Sequence, residues 1–214
     1  MSSSSKSEEM NTKSTMLIAD YGEPADCALA AEQDRWLCDR MPADAATQTL
    51  SRGLDQLETL LRSVGPDDQQ RPTPCADWTV SDLVDHVVQS PSRFAAMVRG
   101  EQVDWAARTP YVDAPVVAYQ EHAQALLAAW AEHPDAQPGA DWQCAEIAIH
   151  TWDLATALGR STDDLDPQVA ESGRAFMQAS LTDDNRSPAF GPELPAPEDA
   201  DAYSRIAAFA GRTV

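Results

Sequence analysis

The sequence has no C-x-x-C pair and no repeated cysteine spacing; its four cysteines are Cys27, Cys38, Cys75 and Cys144. That excludes a zinc-finger pattern and a disulfide framework, and leaves the thiols to be read as reduced. No apolar run approaches the roughly 20 residues that span a bilayer. Nor does the N-terminus show a basic region followed by an apolar stretch and a small-residue cleavage site. The cytoplasm is therefore the expected compartment, with no membrane association. Basic residues are scarce as well: Lys and Arg total 15 against 35 Asp and Glu, for a formal net charge of -20. Such a field repels phosphate backbones and anionic lipid, and the few cations form no stripe, so nucleic acid is not expected as a partner. The acidity also serves solubility and assigns no basic partner.

What the sequence does hold is helical periodicity. A chain of 214 residues fits one core plus an appendage, and a hydrophobic share of 43% with a charged share of 23% is ordinary for a globular protein. There is neither an internal repeat nor an alternating strand pattern. Residues 1–40 are Ser-rich, with scattered charges and only short apolar pieces such as Met16-Leu17-Ile18. They bury too little to offset their ordering entropy and read as a disordered extension with a short helix at 28–39. Met41 stands where the periodic part begins, which leaves a start there open. Residues 41–214 read as one helical domain.

Within it, Leu50, Leu54, Leu57, Leu61 and Val64 recur at steps of four and three, which predicts a helix over 44–64 ended by Gly65-Pro66. The segment from Arg71 to Trp78 holds two prolines and reads as an extended lead-in. Thr79 then caps a helix from Val80 to about Arg99, with Asp82 three residues on as its box-like partner and Pro91 predicting a kink or break. Further helices are expected over 114–133, stopped by Pro134, and over 141–158, closed by Gly159. Shorter ones are expected over 167–179 and 200–210, with a loop at 187–197, where four prolines and a glycine fall. Four long helices with brief connections predict an all-α four-helix bundle with short C-terminal additions.

The fourth helix carries the chemistry. At about 100° per residue, Glu146, His150 and Asp153 fall within about 60° of one another. Ile147, Leu154 and Leu158 lie to one side of them and Ile149 and Trp152 to the other, so the polar cluster is set into a helix that looks buried. Burying a carboxylate or imidazole without a partner costs several kcal/mol or forces neutralisation. Glu146 and His150, one turn apart, can converge on one cation. His86, at the edge of the second helix's apolar stripe beside Ser90 and Met97, can supply a third ligand across the bundle. Two imidazoles and a carboxylate suit zinc or a similar divalent ion and leave a position open. The plainer reading is that a Glu-x-x-x-His pair on a helix is a common accident and that His86 is a hydrogen-bonded core residue. Asp153 reads as the partner that steadies a ligand's ring. His133 reads as a helix-end residue favourable to the dipole, and His122 as a partly exposed one. Arg174, Arg186 and Arg205 could clamp an anion but read as surface residues.

The stretch from Arg71 to His86, Arg-Pro-Thr-Pro-Cys-Ala-Asp-Trp-Thr-Val-Ser-Asp-Leu-Val-Asp-His, followed by Arg93-Phe94, resembles the metal-binding domain of mycothiol-dependent maleylpyruvate isomerases in the DinB-like superfamily. So does Ala145-Glu-Ile-Ala-Ile-His-Thr-Trp-Asp-Leu-Ala155, with Leu165-Asp-Pro167 trailing it. Phe190-Gly-Pro and the ending from Pro195 to Phe209 resemble an uncharacterised actinobacterial branch. The resemblance covers roughly residues 44–212. It implies a DinB-like bundle in which His86, Glu146 and His150 hold the metal, and a low-molecular-weight thiol such as mycothiol that uses the open position as thiolate against a small electrophile, in isomerisation or S-transfer. It does not distinguish this from hydrolysis at the same ion, or from a bundle that binds metal or ligand without turnover. The chain is shorter than many relatives between Trp130 and Trp142, and it does not resemble the additional C-terminal domain of true maleylpyruvate isomerases, so maleylpyruvate itself is not implied.

Overall fold

The computed structural model describes residues 43–75, 77–104, 112–182, 185–186 and 190–214. The expected extension over 1–40 and its short helix lie outside the described residues, as do residues 187–189 of the expected loop. Among the described residues, six α-helices make up the fold: α1 (Ala43–Leu61), α2 (Val80–Val98), α3 (Pro115–Glu132), α4 (Asp141–Leu158), α5 (Pro167–Ser180) and α6 (Ala202–Phe209). None of them is long and apolar enough to cross a membrane.

The helices α1 to α4 make the bundle: α1 packs on α3 and α4, and α2 packs on the same two. The Leu50, Leu54, Leu57 and Leu61 stripe of α1 is buried, as its periodicity requires. α1 ends one turn earlier than expected. Ser63 and Val64 close it with bonds to Leu60 and Leu61, three residues back, and a short 3-10 turn at Pro66–Asp68 follows. Thr79 and Asp82 cap α2 reciprocally, each side chain taking the other's backbone N–H. Of the kink or break expected at Pro91, the break does not occur; helical structure continues through it.

The additions α5 and α6 pack on α4 from its remaining sides. At Gly173 of α5 an added Cβ would lie 2.5 Å from the Ala145 Cα, so the two helices meet backbone to backbone and only glycine permits it. With α1, α2, α5 and α6 against it, α4 is enclosed: every residue over 142–155 is buried. A helix enclosed on every side shows little amphipathicity, which is why its polar residues stand out in the sequence.

The lead-in to α2 is folded back rather than simply extended. Pro72 and Thr79 form an isolated antiparallel bridge, the Thr73 N–H and hydroxyl both donate to the Trp78 carbonyl at 3.0 Å, and the Val80 N–H donates to the Arg71 carbonyl at 2.9 Å. Asp77 takes a left-handed φ of 67°, which a short polar side chain tolerates better than most. This loop carries Cys75 and Trp78 to the end of the bundle where α2 and α4 face one another.

Candidate metal centre

His86, two turns into α2, and Glu146 and His150, one turn apart on α4, meet at that end. His86 Nε2 lies 2.7 Å from Glu146 Oε1, and His150 Nε2 lies 3.3 Å from the same oxygen. The three side chains each offer one ligand atom, all within 4.8 Å of one another, and all three are buried. The convergence expected from the two helices is therefore present, and these residues can hold a metal ion. The His86 and His150 rings stand edge to face with centroids 4.8 Å apart. Trp78 covers both, its ring centroid 4.9 Å from His86 and 6.1 Å from His150.

Asp153 lies where the sequence places it, one turn beyond His150, and accepts from His150 Nδ1–H at 3.1 Å. Its second partner was not legible. Arg212, beyond α6, donates from Nε to Oδ1 at 3.3 Å and from Nη2 to Oδ2 at 3.2 Å. A buried Asp153 calls for a cation, but nothing in the spacing says which arginine supplies it. Arg212 Nη2 also stands 3.8 Å from Cys75 Sγ, which brings that thiol beside the site unannounced by any motif.

The electrostatics follow from burial and pairing. Burial raises the Glu146 carboxyl, but His150 and His86 outweigh it and hold the group below the usual carboxylate range. Burial lowers His86, and Glu146 only partly offsets this. Burial also lowers His150, yet the Glu146 and Asp153 carboxylates win and push it up to about 9. Asp153 is likewise raised by burial and brought below its ordinary value by Arg212 and His150. Burial, with Asp153 adding to it, pushes the Cys75 thiol up to about 12.

The remaining candidates separate cleanly. His122 is partly exposed as expected, and its Nδ1 lies 2.7 Å from the Val88 carbonyl, tying α3 to α2. His133 forms the C-terminal cap of α3, at the helix end where the sequence places it. Arg205 is exposed and Arg174 half-buried. Arg186 corrects the surface reading: it is buried, donates from Nη1 to the Phe209 carbonyl at 2.6 Å, and lies over the Phe209 ring at 4.4 Å. The Phe209 carbonyl, at the end of α6, has no following helical turn to donate to it, so a buried cation that does so is the stable arrangement.

The model of the mycothiol maleylpyruvate isomerase N-terminal domain matches residues 50–155, a span that includes all three converging residues. Two uncharacterized proteins of Mycobacterium tuberculosis, from two strains, are each 33% identical over 186 residues, covering 76% of this chain and 95% of theirs. The chain belongs to the mycothiol maleylpyruvate isomerase N-terminal domain family. No solved structure matches it. The family match and the all-α fold agree with the resemblance carried by the Trp78–His86 and Glu146–Asp153 motifs. Within this family, the polar cluster of α4 is the feature that any account of function has to explain.

Proposed function

We propose that the protein binds one divalent metal ion, zinc by preference, through His86, Glu146 and His150, and uses it with a mycothiol-type thiol as a transferase or isomerase on a small electrophilic molecule. The observation that carries this reading is the meeting of two imidazole Nε2 atoms on a single buried carboxylate oxygen. Two nitrogens and one oxygen are a donor set that zinc favours, with a fourth position left for another molecule. Asp153 holds the Nδ1–H of His150, which directs Nε2 toward the other two donors. Trp78 shields one side of both rings from water.

A divalent ion in this position would favour the deprotonated form of a thiol brought to it at neutral pH. The chain's own thiols are poorly suited to be that nucleophile. Cys75 and Cys144, the two described, are each pushed up to about 12 by burial, so both stay protonated at neutral pH. A thiol supplied from solution fits the site better, in keeping with the family to which the chain belongs.

The test is to purify the protein, measure bound metal by mass spectrometry, and follow mycothiol consumption with a reactive electrophile before and after chelation. Stoichiometric zinc and thiol loss that disappears with the metal are expected. Absence of metal would sink the reading entirely, and metal without thiol turnover would reduce it to binding.

A further inference from the structure

We infer that Arg212 is a positioning residue of this centre: it grips both oxygens of Asp153 and so fixes the ring of His150. The inference rests on the reading of His86, Glu146 and His150 as a metal site and adds a residue that neither the family match, which ends at residue 155, nor the sequence motifs assign.

The turn that delivers Arg212 is itself built. At the end of α6 the Arg212 N–H donates to the Ala207 carbonyl at 2.9 Å and the Gly211 N–H to the Ala208 carbonyl at 3.0 Å. This is the paired closure of a helix whose next residue is left-handed. Gly211 has a φ of +86°, and an added Cβ would lie 2.6 Å from the Gly191 Cα, so both the backbone angle and the close approach select glycine. Arg186 locks the same end through the Phe209 and Gly191 carbonyls. The chain therefore leaves α6 in one direction, back toward α4.

There the guanidinium meets Asp153 with two nitrogens on two oxygens, a fork that constrains orientation as well as charge. Asp153 is fully buried and Arg212 nearly so. With Oδ1 and Oδ2 both held, the carboxylate cannot rotate, and Oδ2 also receives His150 Nδ1–H. Removing Arg212 would leave a buried carboxylate with His150 as its remaining side-chain partner, free to turn or to take a proton, and the imidazole would lose its reference. Partners of this kind behind a liganding histidine tune metal affinity without touching the metal.

The experiment compares wild type, Arg212→Leu, Arg212→Lys, Asp153→Asn and the Arg212→Leu/Asp153→Asn double variant. Zinc affinity is measured by competition with a chromogenic chelator, and the d–d absorption of the cobalt(II) form is recorded alongside far-UV circular dichroism. Arg212→Leu is expected to weaken zinc by about 10–100-fold and to shift the cobalt spectrum. Arg212→Lys, which keeps the charge but not the fork, recovers part of the affinity with the spectrum still altered, and it carries the comparison if the leucine variant does not fold. The double variant should bind no more weakly than Asp153→Asn alone. Wild-type affinity and spectrum in the Arg212 variants, or losses from the two positions that multiply, would overturn the inference while leaving the metal site standing. A wild-type protein that takes up neither zinc nor cobalt would instead bring down the metal reading, and this inference with it.

Discussion

Glu146 Oε1 stands 2.7 Å from His86 Nε2 across 60 residues of sequence, and both side chains are buried at the junction of α2 and α4. That contact joins the two motifs of the chain, and without an ion it adds to His150 in compensating the buried carboxylate. His86→Ala is expected to abolish stoichiometric zinc while helical circular dichroism persists, because His86 lies on the edge of the α2 stripe and the leucine and valine packing is untouched. Metal analysis after gel filtration reads this directly; a variant that keeps one zinc per chain would remove His86 from the ligand set.

Cys75 offers a check that needs no metal. Burial pushes its thiol up to about 12 from a reference of 9.0, so its thiolate fraction near pH 8 should be about a thousandfold below that of an unperturbed thiol. Peptide mapping after brief iodoacetamide treatment should find Cys75 unmodified in the folded protein and alkylated in urea. Rapid labelling of the folded protein would contradict the environment described around Arg212.

Gly173 tests how α5 is seated. Its replacement by Ala would drive a methyl to within 2.5 Å of the Ala145 Cα, where only backbone can yield. A loss of roughly 1–3 kcal/mol in urea unfolding is expected, although alanine is the better helix former by about 1 kcal/mol at an unconstrained position. A stabilised variant would mean that α5 and α4 are not in backbone contact.

Asp201 caps α6, its Oδ1 accepting from the Tyr203 and Ser204 N–H groups at 2.7 and 3.0 Å and its Oδ2 from the Ser204 hydroxyl at 2.8 Å. Burial raises its carboxyl, but these donors outweigh that and hold it below the ordinary value. A carboxyl depressed in the folded state stabilises above its unfolded pKa and loses that contribution as pH falls through the folded one. Asp201→Ala should therefore cost about 1 kcal/mol at neutral pH, with the gap to wild type narrowing below about pH 4. Urea titrations at both pH values check it; a gap that widens on acidification would refute the sign.

Much of this was legible in the sequence because it is periodic or local. The α4 boundaries, the Thr79–Asp82 box and the closure at Gly159 follow from signals within a few residues of each other, and each is observed. Glu146, His150 and Asp153 announced themselves because polar groups at helical spacing on an otherwise apolar helix have to be compensated. Arg212, Cys75 and the buried Arg186 were not legible. Each meets its partner through a loop or turn of irregular backbone, 59 residues apart for Arg212 and Asp153 and 137 for Arg212 and Cys75, and no spacing rule spans such segments. The surface reading of Arg186 failed for a related reason: whether an arginine caps a helix end depends on where that end folds, not on its neighbours in sequence.

Because α4 is wedged among four other helices, brief local fluctuations cannot bring deuterium to its amides. Its central residues should exchange only when the whole bundle opens, at the slowest rate in the molecule. The stretch that bears Glu146, His150 and Asp153 would then be the last to lose its order, and the lifetime of that polar cluster would be set by global unfolding.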